Sequence, residues 1–296
     1  MTQVRTPGGI ALEYETYGDP TDPPMLLVAG FGSQLISWGR EFCRHLAGGG
    51  LHVIAYDNRD TGLSTRFHGA PAPLEEIAAA AGIGDFDRAA GLAAYTLADL
   101  ADDAIGLLDA LELETVHLLG ASMGGMIAQL ATIRHPERIR TLTSMFSTTG
   151  EREYGQAAPG TLEVLFTPAP TERAAYIEHS AQWLIWHSKR YPEPEATREE
   201  AAAAFDRGLY PEGVRRQMAA LFAAPPRTDG LAAITVPTLV LHGTDDTLIT
   251  PSGGERTAEL IPGARWVLIE DMGHDRPRPL WDAICQPIWE LTGVSG

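Results

Sequence analysis

Ser122 stands in Gly120-Ala-Ser-Met-Gly124, a G-x-S-x-G pattern followed by one more glycine. The apolar run Thr115-Val-His-Leu-Leu-Gly120 reads as a buried strand, and residues 124–135, stopped by Pro136, read as a helix. A serine on a sharp strand-to-helix turn needs nearly side-chain-free neighbours two positions away on either side. Its hydroxyl then rises above the sheet edge, with a helix N-terminus behind it to favour developing negative charge. A serine hydroxyl is a weak nucleophile, so this chemistry also requires a base and an acid that orients the base.

For such an elbow the chain order is serine, acid, histidine. His135, His179, His187, His242 and His274 follow Ser122. His135 precedes a proline at a helix end and His242 lies inside a strand. His179 and His187 fall in a helical stretch, at helical spacing with Trp183 and Trp186. His274, in Asp271-Met-Gly-His274, sits in a loop after the last strand, where α/β sheets place reactive groups. The acid is expected after the strand at 237–243, where Asp245 and Asp246 stand side by side. Spacing within Gly243-Thr-Asp-Asp246, closed by Pro251, favours Asp246 and leaves Asp245 as a solvated turn residue. The strand ending at Phe146-Ser147 offers no carboxylate. Acyl transfer further needs main-chain N–H groups for the oxyanion, and the candidates are Met123 and, in the turn Gly30-Phe31-Gly32, Phe31.

The elements that must hold these residues alternate between strand and helix. Residues 10–17, 24–30, 52–57, 115–120, 138–146, 237–243 and 265–270 read as strands. Helical spacing covers Trp38, Phe42 and Leu46, then 99–111, 124–135, 253–261 and 280–291, with partial helix in the excursion 67–95. This alternation argues for an α/β fold with a mostly parallel sheet flanked by helices. Strand patterns vanish between residues 150 and 227, where Ala-rich, charged, proline-broken helical segments dominate. The expected organisation is a core of residues 1–149 and 228–296 with a helical cap at 150–227. The cap's aromatics Trp183, Trp186, Tyr191, Phe205, Tyr210 and Phe222 are candidates for pocket lining, with Trp183 and Trp186 as substrate contacts. In Tyr56-Asp-Asn-Arg59, Asp57 and Arg59 read as structural, pairing within the sheet-end loops.

Twenty-two Lys and Arg against 39 Asp and Glu give a net charge of −17, which repels phosphate backbones and anionic lipid. Nucleic acid and membrane are therefore not expected partners; a small-molecule ester is, and a homodimer is allowed. Cys43 and Cys285 are isolated, and no H-e-x-x-H or histidine cluster offers a metal site. The N-terminus lacks the apolar core of a signal peptide, so a soluble protein of a reducing, cytoplasmic compartment is expected.

With these residues placed, the chain resembles the α/β-hydrolase superfamily along nearly its whole length. Within it the likeness is to the esterase/lipase-like group that includes aclacinomycin methylesterase. It rests on the stretch from Gly49 through Tyr56-Asp-Asn-Arg-Asp-Thr-Gly62, on Val236-Pro-Thr-Leu-Val240 and on Met272-Gly-His274. Gly-Ala-Ser-Met-Gly-Gly-Met-Ile-Ala-Gln129 is shared more widely with bacterial esterases. The resemblance implies an eight-stranded sheet with the helical cap inserted after the sixth strand. It also implies a triad at Ser122, Asp246 and His274, and ester hydrolysis without a cofactor. Family members often carry His-Gly before the oxyanion turn, where this chain has Ala29-Gly30; the main-chain donor is retained and the histidine is not. The cap is the least similar part. The expected activity is cleavage of a small to medium, largely apolar carboxylic ester through an acyl-enzyme. Two rivals remain open: a carbon–carbon hydrolase of 1,5-diketones using the same triad, and a non-catalytic ligand-binding member of the fold.

Overall fold

Successive side chains of a strand point to opposite faces, and in the central strands of this protein both sets are apolar. The computed structural model describes residues 2–294. In it, Leu26, Val28, Ile54, Tyr56 and Leu118 join one buried cluster, while Met25, Leu27, Val53, Ala55 and Leu119 join another on the opposite face. Such strands must be covered on both sides by helices.

The sheet has eight strands: β1 (Thr2–Arg5), β2 (Ala11–Tyr17), β3 (Pro24–Val28), β4 (His52–Tyr56), β5 (Val116–Ala121), β6 (Ile139–Met145), β7 (Thr238–Gly243) and β8 (Arg265–Ile269). Their order is β1-β2-β4-β3-β5-β6-β7-β8. Only the β1–β2 and β2–β4 pairings are antiparallel. Before β7 come helices α1 (Arg40–Ala47), α2 (Leu74–Gly82), α3 (Phe86–Leu92), α4 (Leu97–Ala110), α5 (Met123–Arg134), α6 (Thr161–Phe166), α7 (Arg173–His179), α8 (Pro194–Gly208), α9 (Pro211–Phe222) and α10 (Thr228–Ala232). After it come α11 (Ser252–Leu260) and α12 (Trp281–Thr292). Side chains of α4 and α5 fill the first cluster; those of α1 and α12 fill the second. A capping box between Thr96 and Asp99 fixes where α4 starts.

β3 pairs with β4 on one side and β5 on the other. The chain thus reverses direction across the sheet between β3 and β5, and the loops leaving their C-terminal ends open side by side. Open α/β sheets bind ligands at such a switch point. Between β6 and β7 the elements are helical throughout, α6 to α10 plus a 3₁₀ stretch over Ser180–Trp186.

Several readings from the sequence need correction. β1 was not anticipated; it is short and largely exposed, so no burial pattern marks it. The helical run through Trp38, Phe42 and Leu46 is divided, because Gly39 at φ 73° separates a 3₁₀ turn from α1. Arg59 and Asp57 do not pair within the sheet-end loops. Arg59 reaches Asp103 on α4 at 2.6 Å, and Asp57 meets Arg207 on α8 at 2.6 Å. The second pair ties the helical segment to the sheet.

His117 on β5 is buried and hydrogen-bonds the Thr141 hydroxyl at 2.9 Å. Burial, with a contribution from Arg140, pushes its pKa down from 6.5 to about 4. Between those values the unfolded chain binds a proton that the fold does not, so stability falls as pH drops through this window and is fully present above it. His117→Gln is expected to flatten that slope. Urea-unfolding midpoints measured from about pH 4 to 7 test it, and an unchanged slope would assign the acid sensitivity to other groups.

Candidate active site

Ser122 links β5 to α5 with φ 58° and ψ −122°, a backbone conformation that costs a non-glycine residue on the order of 1–3 kcal/mol. The glycines of the motif make that turn possible. A Cβ at Gly120 would lie 2.1 Å from the Gly124 carbonyl oxygen, and one at Gly124 would lie 2.0 Å from that of Val28. Gly125 is equally confined, with Ser147 Cβ at 2.5 Å from the added atom. The turn is then held by hydrogen bonds. Ser122 N–H donates to the Met145 carbonyl at 3.0 Å, and the Ser122 carbonyl accepts from Gly125 N–H at 2.9 Å and from the Ser147 hydroxyl at 2.8 Å.

The loop after β3 closes over this turn. A Cβ on Gly30 would come within 3.2 Å of Ser122 Cβ and 3.7 Å of its Oγ, so the main chain of Gly30 lies against the serine. Phe31 follows, its side chain packed against the first hydrophobic cluster and its amide without an acceptor among the described residues. Met123 opens α5 and is buried in the same cluster, and no side chain caps the helix N-terminus there. Both residues therefore offer main-chain N–H groups beside Ser122.

Asp246 and His274 are brought together from the loops after β7 and β8, with His274 Nδ1 2.7 Å from Asp246 Oδ2. The other carboxylate oxygen accepts from the Leu248 and Ile249 amides at 2.9 and 3.0 Å. Burial by itself would raise the Asp246 pKa. The charge of His274 and the hydrogen bonds from His242 and His274 outweigh it and hold the carboxyl at about 2. The group stays ionised through neutral and mildly acidic pH. Phe146, which follows β6 at φ 35°, packs its ring 4.6 Å from the His274 imidazole.

His242, set aside in the sequence because it lies inside a strand, is part of this network. Its Nε2 is 2.7 Å from the Ile249 carbonyl and 3.2 Å from Asp246 Oδ2. Two acceptors around one ring nitrogen assign the proton to Nε2. No spacing rule picks out this residue, since strand alternation alone accounts for a buried side chain there.

The two adjacent aspartates are separated in role. Asp246 faces the imidazole, while Asp245 is half-buried and accepts the Lys189 amide at 3.0 Å, so it is not the solvated turn residue that the spacing suggested. It is held by a strap, residues 185–190, that crosses both loops. Thr247 Oγ1 donates to the Ile185 carbonyl at 2.9 Å, and His274 N–H donates to the Trp186 carbonyl at 2.6 Å. Both oxygens of Asp275 accept the Ser188 amide at 3.1 Å, and Arg190 pairs with Asp271 at 2.8 Å. Asp246 and His274 are thus each flanked on both sides by residues in contact with the strap. The strap sits so close that a Cβ on Gly273 would meet the main chain of Trp186, His187 and Ser188 at 2.3 to 2.5 Å.

Trp186 therefore touches the His274 loop through its carbonyl, with its ring buried. Trp183 stacks edge-on against Tyr176 and His179. The aromatic set is not one lining. Phe205 joins Tyr176, Phe222 meets Phe166 edge-on, and Tyr210 packs against Arg66, Arg216 and His68. Cys43 and Cys285 are buried free thiols, their pKa values pushed up by burial to about 12. Among the described residues, no three His, Cys, Asp or Glu side chains cluster as metal ligands, and no helix is long and apolar enough to cross a membrane.

Residues 23–275 match the family described as alpha/beta hydrolase fold. The chain belongs to this family. The α/β hydrolase is 32% identical over 312 residues to a rhodomycin D methylesterase of Streptomyces sp. (strain C5), covering 96% of this chain and 97% of the relative. It is 31% identical, at the same coverage, to a rhodomycin D methylesterase of Streptomyces peucetius. A thermophilic esterase from Thermogutta terrifontis matches its structure with a TM-score of 0.70 at 26% identity, covering 98% of each chain.

The strap has a consequence that can be measured without any substrate. Gly273→Ala places a methyl group into main-chain atoms that have no flexible end to yield. Hydrogen exchange at the Ser188, Lys189 and His274 amides should accelerate by about tenfold or more, while amides of β5 and α4 hold their protection. Unchanged exchange at those three amides would show that the strap tolerates the added group.

Proposed function

We propose that this α/β hydrolase is a serine carboxylic-ester hydrolase working through an acyl-enzyme. The observation that carries the reading is the 2.7 Å contact between Asp246 and His274, on a fold that also holds Ser122 in a strained elbow beside free main-chain amides. In this mechanism Ser122 Oγ attacks the ester carbonyl carbon and His274 takes the hydroxyl proton. Asp246 fixes the imidazole through Nδ1 and stabilises its cation. The Phe31 and Met123 amides receive the oxyanion. Collapse of the tetrahedral intermediate expels the alcohol, which leaves with the proton from His274. Water, activated by the same imidazole, then cleaves the acyl-enzyme.

Similarity along nearly the full chain to two methylesterases supports a methyl ester as the scissile group, on an acid whose body is small to medium and largely apolar. The helical segment at 150–227 acts as the cap over that body in this reading, with Trp183 and Trp186 as its substrate contacts. The same three residues would serve carbon–carbon bond hydrolysis, and a binding protein could retain them unused. Turnover of simple esters separates these cases.

Ser122→Ala should lower kcat by a factor of about 10³ or more without changing the melting temperature materially. Asp246→Asn should be comparably damaging, whereas Asp245→Asn should cost only a few-fold, because an amide oxygen can still accept from Lys189. With its pKa held at about 2, Asp246 itself should contribute no step to the kcat/KM profile at mildly acidic or neutral pH. A folded Ser122→Ala protein with near-normal turnover would overturn the reading.

Chain length provides a second check. Each methylene buried in an apolar pocket contributes about 0.8 kcal/mol until the pocket is full. Across p-nitrophenyl esters kcat/KM should therefore climb and then fall, and Trp183→Ala should shift the optimum. A series left untouched by that substitution would remove Trp183 from the substrate contacts.

A further inference from the structure

Gln217 on α9 is wholly buried, and its side chain joins the loops that leave the C-terminal ends of β3 and β4. Its Oε1 accepts from the Gly32 amide at 2.9 Å. Its Nε2 donates to the Arg59 carbonyl at 3.1 Å and to the Thr61 hydroxyl at 2.7 Å. A main-chain N–H can only donate and a main-chain carbonyl can only accept, so the Gln217 amide has one possible orientation. The loop after β4 also grips the helix on which it stands. Arg216 pairs with Asp60 at 2.7 Å, and a Cβ on Gly213 would lie 2.2 Å from the Asp60 carbonyl oxygen. Gln217 is therefore anchored at one end and holds Gly32 at the other.

Gly32 lies in the turn that carries the Phe31 amide. Ser33 N–H donates to the Gly30 carbonyl at 3.2 Å, which closes the turn at 30–33 around Phe31 and Gly32. Gly32 has φ 66° and Phe31 has no positive φ, the pattern of a type II turn. Types I and II share the closing hydrogen bond and differ in the direction of the middle peptide unit, here Phe31 to Gly32. The closing bond leaves that unit free to turn over; the bond to Gln217 does not. With a glycine on either side, Phe31 has little local restraint of its own. Its amide is set by two held peptide units, one fixed through the Gly30 carbonyl and the other through the Gly32 amide. Ser122 lies directly against this turn, since a Cβ on Gly30 would come within 3.2 Å of the serine Cβ. The next part of the loop is held from the same side, with Gln34 Nε2 donating to the Ala204 carbonyl of α8 at 2.8 Å.

We propose that Gln217 is a positioning residue for oxyanion stabilisation: from the helical segment it holds the turn at 30–33 so that the Phe31 N–H stays beside Ser122. The proposal rests on the ester-hydrolase reading. In that reaction negative charge develops on the carbonyl oxygen only as Ser122 attacks. A donor that wanders therefore weakens the transition state more than the bound ester. The loss belongs in kcat and not in KM.

Gln217→Met keeps the side-chain length but removes the acceptor and both donors. On p-nitrophenyl acetate its kcat should fall about tenfold or more while KM changes by less than about threefold. Gln217→Glu, which keeps an acceptor for Gly32, should recover part of kcat. Should Gln217→Met not fold, Gln217→Asn, too short to span both loops, takes its place in each measurement. A pair of ketones isolates the oxyanion. Ser122 Oγ bonds to the carbonyl carbon of a trifluoromethyl ketone, the C=O π pair becomes an oxyanion and the serine proton passes to His274; the matching methyl ketone binds without this step. Gln217→Met should weaken inhibition by the trifluoromethyl ketone about tenfold and leave the methyl ketone within about twofold. Equal weakening of both, or a raised KM with kcat unchanged, would make Gln217 a support of the fold or of binding and overturn the proposal. Hydrogen exchange at the Gly32 amide needs no substrate. It should accelerate about tenfold or more in Gln217→Met while amides of β3 and β4 hold their protection. Unchanged exchange refutes the hold on the turn even where kcat falls, and faster exchange in a protein that hydrolyses no ester keeps the hold while removing the ester reading.

Discussion

Everything at the reaction site depends on one backbone conformation, the positive φ of Ser122. An L-residue there is strained, so the surrounding structure must over-determine it. It does so with steric exclusion as much as with hydrogen bonds. Gly120 and Gly124 let α5 drop onto β3 and β5 until backbone touches backbone, and that depth sets the height of the serine above the sheet. The central strands, apolar on both faces, provide the rigid bed. Their burial is the reason that the strain at the elbow does not relax.

Asp246 and His274 are positioned by different means. Asp246 is locked by its own loop, through two amides and His242. His274 is locked from outside, through the Trp186 carbonyl and the contacts of Asp275 with Ser188. A segment inserted between β6 and β7 thus fixes the geometry of residues that follow it by more than eighty positions. The helical segment is mechanically part of the site, since the strap that crosses the two loops is continuous with the helices above them.

The sequence singled out Ser122, Asp246 and His274 because each lies where local chemistry is restrictive: an elbow needing glycines, and loops at strand C-termini, two of which the structure brings into contact. It carried the strands of the sheet except β1, which is exposed and has no burial pattern to read. The strap was invisible because it works through main-chain atoms, and an amide or carbonyl has no letter in the sequence. Asp245 and His242 were misjudged for a related reason. Their roles depend on partners 56 residues away and on a packing direction inside β7, neither of which spacing encodes.

The placement of His274 after β8, the last strand in the sheet order, has a consequence for the sequence of events by which the site can form. Its loop follows β8, and α12 must then wrap back so that Trp289 Nε1 reaches the Leu46 carbonyl at 2.9 Å. In vectorial synthesis β1 to β7, the serine elbow and the helical segment all precede the His274 imidazole. Until that loop is in place, the Trp186 carbonyl and the Ser188 amide lack the partners that His274 and Asp275 give them. Asp246 can hold its two amide bonds and the His242 contact before His274 arrives to complete the pair.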